Sequence, residues 1–420
     1  MIHYKFLKSS IFVLFLSNAG NFFNYLIQIV IGRYLSPEEY GIHNAVLSLG
    51  VILTSGTMML MSLGAKYAAP MRFNRMGARS LMLRWSKNIF LCSGLGMVVL
   101  LLIVDLIAQF LKLESNYEVF AFLCGMIFVH LLTFYQGFLN GLGHHAMSNL
   151  LGLTLSIVRV LSTWGLLVSG MGYALYTVGA LSFSHALSAL VGGYLVYLLI
   201  QKIPHEETSK LKTFKRKQEL NFLYPSFLTW TSIAILTNID IIVIKHHFDP
   251  VITGYFTQET IIARIGLFIT SALTMVLLPE ITIEATKQPK HLVRTALLIS
   301  GGIAGMFSLI CWIAPDFLLQ IIFSSNASES SYLPMLSVIY VIVAMLNLIF
   351  TINLARGNYL AQYIYFFVIL FFSIVLFLIK IDSINQFIYI ITIFLFILLF
   401  FNIVRLILKS VSIDKFIKKK

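Results

Sequence analysis

Charge is what this chain has least of. Only 11% of its 420 residues are Asp, Glu, Lys or Arg, against about 25% in a soluble domain, so a water-facing globular surface cannot be built from it. Proline is scarce, with nine residues, and cysteine scarcer, with three. Cys92, Cys124 and Cys311 stand in or beside apolar runs, and their spacing suggests neither a metal site nor a disulfide framework. No Gly-Lys dipeptide occurs, which removes a Walker-type phosphate loop and direct use of ATP. His-Glu-x-x-His and Gly-x-Ser-x-Gly are also missing, and no outer loop carries an Asp-x-Asp pair for a metal-bound sugar donor. The expectation is a protein that is not an enzyme and that uses no cofactor or metal.

What is present is apolar surface. Hydrophobic residues make up 59% of the chain and the mean hydropathy is +0.89. Runs of roughly 20 apolar residues, enough to cross about 30 Å of hydrocarbon, lie near 10–31, 44–65, 88–110, 118–139, 146–168, 173–199, 220–244, 256–280, 295–315, 333–354, 359–379 and 384–408. Lipid offers no partner to an exposed backbone, so these spans are expected to be helices. The first run is longer than a signal-peptide core and lacks a small-x-small cleavage site, so it counts as a span. The class is an all-α polytopic membrane protein of twelve transmembrane helices.

The net charge of +13 invites a nucleic-acid reading that its distribution refuses. With twelve spans, most Lys and Arg fall on one side: Lys5 and Lys8, the 66–87 and 202–217 clusters, Lys287, Lys290, Arg294, Arg356 and the C-terminal basic residues. The basic side is expected to be cytoplasmic, with both termini there. The 202–219 stretch is the longest polar connection. It divides the chain into an N-terminal bundle of six spans (1–201), a cytoplasmic basic linker (202–219) and a C-terminal bundle of six (220–420) with a basic tail.

A joint repeats in these halves. Ile29-Val-Ile-Gly-Arg-Tyr-Leu-Ser-Pro-Glu-Glu-Tyr-Gly41 and Ile242-Val-Ile-Lys-His-His-Phe-Asp-Pro-Val-Ile-Thr-Gly254 align without a gap. Ser36 before Pro37, with Glu39 reaching back, reads as a capping box with proline at the first helical position. Asp249-Pro250 repeats the cap without the glutamate. Internal repeats of this kind build many transporters.

Polar groups inside the spans are the candidates for function, because a charge at mid-span costs roughly 2.5–3.5 kcal/mol unless it meets water or a partner. Arg159 and Arg264 lie within spans five and eight and Asp240 toward the end of span seven. The arginines read either as cavity lining for an anionic ligand or as ion-pair partners of Asp240, Asp105 or Glu259. Arg33 and Lys66 sit at span ends, where snorkelling accounts for them, and Lys245 replaces the glycine of the first joint. Asn18, Asn21, Tyr25 and Gln28 share one face of span one, which suits a lumen or a helix contact. His130 and His185 lie mid-membrane, as proton relays or as hydrogen-bonded helix residues.

Several of these segments resemble one family. Gly-Arg-Tyr-Leu-Ser-Pro-Glu-Glu-Tyr-Gly41, Asn238-Ile-Asp240 running to Pro250 and Gly254, Arg264-Ile-Gly266 and Gln136-Gly-Phe-Leu-Asn-Gly-Leu-Gly143 look like the polysaccharide transporters, the Wzx-type flippases of the multidrug/oligosaccharidyl-lipid/polysaccharide exporter superfamily. That resemblance implies two pseudo-symmetric six-helix bundles around a central cavity that opens alternately to each side. It implies a polyprenyl-pyrophosphate-linked oligosaccharide as cargo, a coupling ion (H+ or Na+), and a polysaccharide polymerase and chain-length regulator as partners. Arg33, Arg159 and Arg264 would hold the pyrophosphate, the Asn, Tyr and Gln face would meet sugar hydroxyls, and Asp240, Lys245, Lys66, His130 and His185 would serve gating or coupling. The alternatives are a small-molecule efflux antiporter on the same fold and a membrane polymerase or glycosyltransferase.

Overall fold

The computed structural model describes the backbone of residues 2–203, 216–270, 290–324 and 331–417, and the side chains of 16, 19–203, 223–270, 293–324 and 331–405. Every regular element in it is helical: α1 Ile2–Tyr34, α2 Pro37–Leu53, α3 Thr57–Ala68, α4 Arg75–Leu102, α5 Val104–Phe110, α6 Tyr117–Gly141, α7 His145–Val168, α8 Ala174–Lys202, α9 Arg216–His247, α10 Pro250–Ala263, α11 Lys290–Ile313, α12 Pro315–Phe323, α13 Leu333–Ala355, α14 Tyr359–Leu378 and α15 Ile384–Ile417. Among the described residues nine helices are long and apolar enough to cross a membrane, or ten if α2 and α3 form one bent span. Expected spans one and eight run partly outside the described side chains or backbone.

Local sequence explains most of the helix ends. Ser36 caps α2 by accepting from the Glu39 N–H at 3.3 Å, with Pro37 at the first helical position. Asp249 accepts from the Val251 N–H at 2.8 Å and caps α10. Asn74 accepts from the Gly77 N–H at 2.8 Å and caps α4. Gly143 and Gly170, with φ of 90° and 84°, let the chain leave α6 and α7 through the left-handed region. Arg72 donates from Nε to the Gly141 carbonyl at 2.8 Å, a cation on the negative end of α6. Beside it, burial and then the charges of Arg72 and His145 hold His144 below the usual imidazole range.

Four expectations change. The second span is bent by 42° at Thr54–Gly56, where the Thr54 hydroxyl bonds back to Gly50 O at 2.7 Å. The basic 66–87 segment is not a loop, because Arg75, Arg79, Arg84 and Lys87 ride the first turns of α4, which starts well before residue 88. The third span breaks at Ile103, between α4 and α5. Of the 202–219 linker, Lys202 closes α8 and 216–219 already belong to α9, while 204–215 lie outside the described residues.

Contacts divide the chain into two units. The first is Met1–Ala234 with Phe248–Gly254, and the second is Ile235–His247 with Tyr255–Lys420. In the first, α6 is the central helix, half buried along its apolar window, where α4 is 11% buried. Its core gathers Leu63, Tyr67, Phe134, Phe138, Val196 and Ile200. In the second, Val293 and Ala296 of α11 pack on Leu348 and Ile352 of α13.

Small residues set the closest approaches, as expected where lipid supplies no hydrophobic drive between helices. Gly137 and Gly141 of α6 form a G-x-x-x-G face against α3, and a Cβ on Gly137 would stand 2.1 Å from Met61 O. The repeated joints meet within the first unit. A Cβ on Gly41 would lie 3.1 Å from Pro250 O, and one on Gly254 would lie 1.8 Å from Pro37 O. Gly137→Ala and Gly254→Ala should therefore each lower stability by about 1–3 kcal/mol through overpacking. Gly302→Ala, with nothing within 4 Å, should be neutral or gain up to about 1 kcal/mol of helix propensity. Melting temperatures of the detergent-solubilised variants check the ranking.

Candidate functional site

Helix α7 buries polar groups beside apolar ones: Ser148, Ser156, Arg159 and Thr163 lie inside with Leu151 and Leu167, while Leu161 and Trp164 are exposed. Arg159 is 9% exposed, and its Nε and Nη2 have no hydrogen-bond partner among the described residues. No carboxylate among them pairs with it. Removing a cation from water without a partner is costly, and among the described residues no carboxylate offsets that cost.

The groups around it are neutral and directional. His43 on α2 and His185 on α8 both lie within electrostatic reach of Arg159. The Thr177 hydroxyl donates to Ala174 O at 2.9 Å, so it accepts from His43 Nδ1 at 2.8 Å, which assigns the proton to Nδ1. His43 Nε2 is left as a fully buried, unbonded acceptor. His185 Nδ1 donates to Leu181 O at 2.9 Å. Ser162 and Ser184 touch through their hydroxyls at 3.4 Å, and the hydroxyls of Thr163 and Ser188 are buried without partners. The cluster offers a fixed positive charge ringed by hydroxyl and imidazole groups.

Glu39 has a different task from the expected one. Its Oε2 accepts from the Ala174 N–H at 2.6 Å and so caps the start of α8, instead of closing the box on α2. Both α2 and α8 are thereby anchored where His43 and Thr177 face each other.

The span-one residues divide. Gln28 is buried and its Oε1 accepts from the Tyr40 hydroxyl at 3.4 Å. Tyr25 is half-buried, Asn21 is exposed, and the side chain of Asn18 lies outside the described residues. Gly20 lies against Leu153 and Ser156, which seats α1 on α7. Arg33 and Lys66 are exposed at helix ends, Lys66 with its ammonium 5.7 Å from the Tyr67 ring centroid. His130 is buried and donates from Nδ1 to Met126 O at 2.8 Å.

In the second unit Arg264 is not left open for an anion. Its Nη2 donates to Asp240 Oδ1 at 2.9 Å and its Nε to the Tyr340 hydroxyl at 2.7 Å, while Tyr340 donates to Asp240 Oδ2 at 2.6 Å. All three are buried. Cavity arginine and gating aspartate thus form one closed triad, the ion-pair alternative of the sequence reading. Lys245 on α9 is fully buried, not placed at an interface.

Sequence reasoning missed two groups. His43 stands two residues past the joint, at the start of an apolar run. Asn353, Asn358, Gln362, Tyr365, Asn402 and Arg405 form a hydrogen-bonded network over α13, α14 and α15, in which Tyr365 donates to Asn402 and Gln362 donates to Phe350 O at 3.1 Å. Single amides inside apolar runs were the available signal for it.

With this geometry in place, comparison with known proteins is decisive for the family. Residues 6–283 match the family model described as "Polysaccharide biosynthesis protein". The chain belongs to that family. No curated protein matches it in sequence. Among solved structures it is similar to an inward-facing multidrug resistance MATE family transporter of the MOP superfamily, with a TM-score of 0.67 and 12% identity over 92% of this chain and 94% of that one. It is similar to an outward-facing counterpart at 0.65 and 15%, over 97% and 95%. A third is a MOP superfamily transporter from Pyrococcus furiosus, described as having a binding pocket of reverse polarity, at 0.64 and 16% over 96% and 95%. The fold is MATE-like.

Opening the second-unit triad on one side leaves a buried charge behind. Arg264→Gln or Asp240→Asn alone should each cost about 3–5 kcal/mol, and the double variant should recover a large part of that. Thermal melts of the four proteins provide the double-mutant cycle.

Proposed function

We propose that this protein is a flippase that moves polyprenyl-pyrophosphate-linked oligosaccharide repeat units, of the kind used for O-antigen and related polysaccharides, across the bacterial inner membrane. It works by alternating access, coupled to an ion, from a chain of twelve spans with cytoplasmic termini. The observation that carries the reading is Arg159, a buried guanidinium without a carboxylate among the described residues, in a member of a polysaccharide biosynthesis family. Guanidinium grips phosphate oxygens bidentately, which suits a pyrophosphate linkage. The hydroxyl and imidazole groups beside it, with Gln28, Tyr25 and Asn21 of α1, suit sugar hydroxyls. Arg33, at the exposed end of α1, attracts the anion electrostatically.

Arg264 and Asp240 act in this reading as a unit that couples α9 to α13 during the cycle, with Lys66, Lys245, His130 and His185 as further candidates for gating and coupling. A polymerase and a chain-length regulator would take the cargo on the far side.

Drug efflux is the second reading, since several similar structures are of multidrug transporters. An unpaired buried cation repels cationic drugs, and the Pyrococcus furiosus relative is itself described as suggesting a different function through reversed pocket polarity.

The test is complementation of a deletion strain. Losing charge-assisted bonds worth about 1.5–3 kcal/mol should make Arg159→Ala at least about tenfold less effective, with single lipid-linked repeat units accumulating at normal membrane abundance of the protein. Arg159→Lys should restore part of the export. Wild-type export by Arg159→Ala would remove the pyrophosphate assignment, and drug sensitivity without lipid-linked sugar would favour efflux.

A further inference from the structure

An open groove of about 650 Å³ runs between the C-terminal half of α7 and the first turns of α8. Its walls are Leu161, Gly165 and Leu166 on one side and Tyr176, Gly179 and Phe183 on the other. Leu161 and Phe183 are 59% and 58% exposed and flank the mouth. Nothing lies within 4 Å of where a Cβ would stand on Gly165 or Gly179. These glycines serve no close helix approach, unlike Gly137; what they provide is width.

The groove does not end blindly. Ser162 is on its wall, donates to the backbone carbonyl of Arg159 and touches Ser184. Ser184 bonds in turn to Ala180 O, and Ala180 is again groove wall. Leu166 follows Arg159 by seven residues, nearly two turns, so it shares the face of α7 about 10 Å further along the axis. The apolar slot therefore adjoins, along α7, the residue whose buried guanidinium has Nε and Nη2 unpartnered among the described residues.

That pairing fits an amphiphile with one chain and an anionic head. We propose that the α7–α8 groove holds the isoprenoid chain of the carrier lipid while Arg159 holds its phosphate. The inference rests on the reading of Arg159 given above and adds where the lipid goes. Charge complementarity selects the occupant: a neutral lipid leaves Arg159 uncompensated, and a free sugar phosphate leaves the apolar walls in contact with water. The head and the first isoprene units would then be recognised together, so the chain contributes to affinity rather than only anchoring the cargo in the bilayer.

Binding of labelled farnesyl pyrophosphate and of inorganic pyrophosphate to the full-length protein in phosphatidylcholine nanodiscs separates the two ideas. The wild type should prefer farnesyl pyrophosphate by about tenfold or more, given the apolar surface the groove would cover. Gly165→Leu fills the groove from α7, and Gly179→Leu fills it from α8, so either suffices should the other fold poorly. Each should erase the preference while leaving pyrophosphate binding and melting temperature as in wild type. Arg159→Gln should weaken both probes. A preference that survives in folded leucine variants overturns the groove assignment, as does equal competition by phosphatidylglycerol, which would make it a site for bulk lipid. Those outcomes leave the Arg159 reading standing. Unchanged binding of both probes by Arg159→Gln would instead remove that reading and this inference with it.

Discussion

A charge inside hydrocarbon must find a partner, and this constraint organises the molecule. Each lone ionised group in the membrane costs a few kcal/mol even on lenient insertion scales. Arg264 meets it internally: Asp240 and Tyr340 occupy its donors, and Tyr340 closes the ring onto the same carboxylate. Arg159 lies equally deep in its own unit and has no such carboxylate among the described residues. Two arginines that look alike along the sequence thus have opposite electrostatic standing. One is a brace, whose removal exposes a buried aspartate, and the other keeps two donor nitrogens unbonded among the described residues.

The division assigns different kinds of work to the two units. In the first, the polar stripe of α7 is supported by groups that are already satisfied on one side, such as His43 against Thr177 and His185 against Leu181. Holding the imidazoles by Nδ1 fixes their orientation and leaves the other nitrogen facing the cluster, a preorganised arrangement of the kind that recognition needs. Glu39 contributes from outside the cluster by tying α2 to the start of α8. In the second unit two sets of polar groups satisfy one another, the Arg264 triad and the Asn353–Tyr365–Asn402 network. Those groups specify how α9, α10, α13, α14 and α15 pack, since a half-satisfied network in lipid would be worse than none.

Much of this was legible because membrane helices announce themselves through apolar length, and Ser36 and Asp249 through local capping chemistry. What stayed hidden was long-range or conformational. Hydropathy cannot distinguish a basic loop from a basic helix, and Arg, Lys and Leu are all good helix formers, so α4 began well before its apolar run. The bend at Thr54 has only a short local mark, the Ser55-Gly56 pair, beside a hydroxyl that turns back on Gly50. The destination of Glu39 lies 135 residues away, and a capping box was the nearest local explanation for it. Arg159 and Arg264 could be located but not distinguished, because the difference rests on whether a carboxylate on another helix reaches them.

The repeated Pro-x-x-x-Gly joint shows how a local rule and a long-range one can share a few residues. The serine or aspartate and the proline are accounted for by helix initiation, and they would serve any helix. The glycine is not, for it lies one turn inside α2 or α10, where glycine weakens a helix. Its reason is the other copy: Gly41 lies against the Pro250 carbonyl and Gly254 against that of Pro37. When residue i of one copy meets j of the other and j meets i, the contact is that of a two-fold axis. A duplicated segment that packs on its own duplicate needs the same small residue in both copies, since enlarging either one closes the shared gap. The duplication and the glycine therefore have one cause, and the positions free to diverge are those outside the contact, where Gly32-Arg33 in one joint became Lys245-His246 in the other.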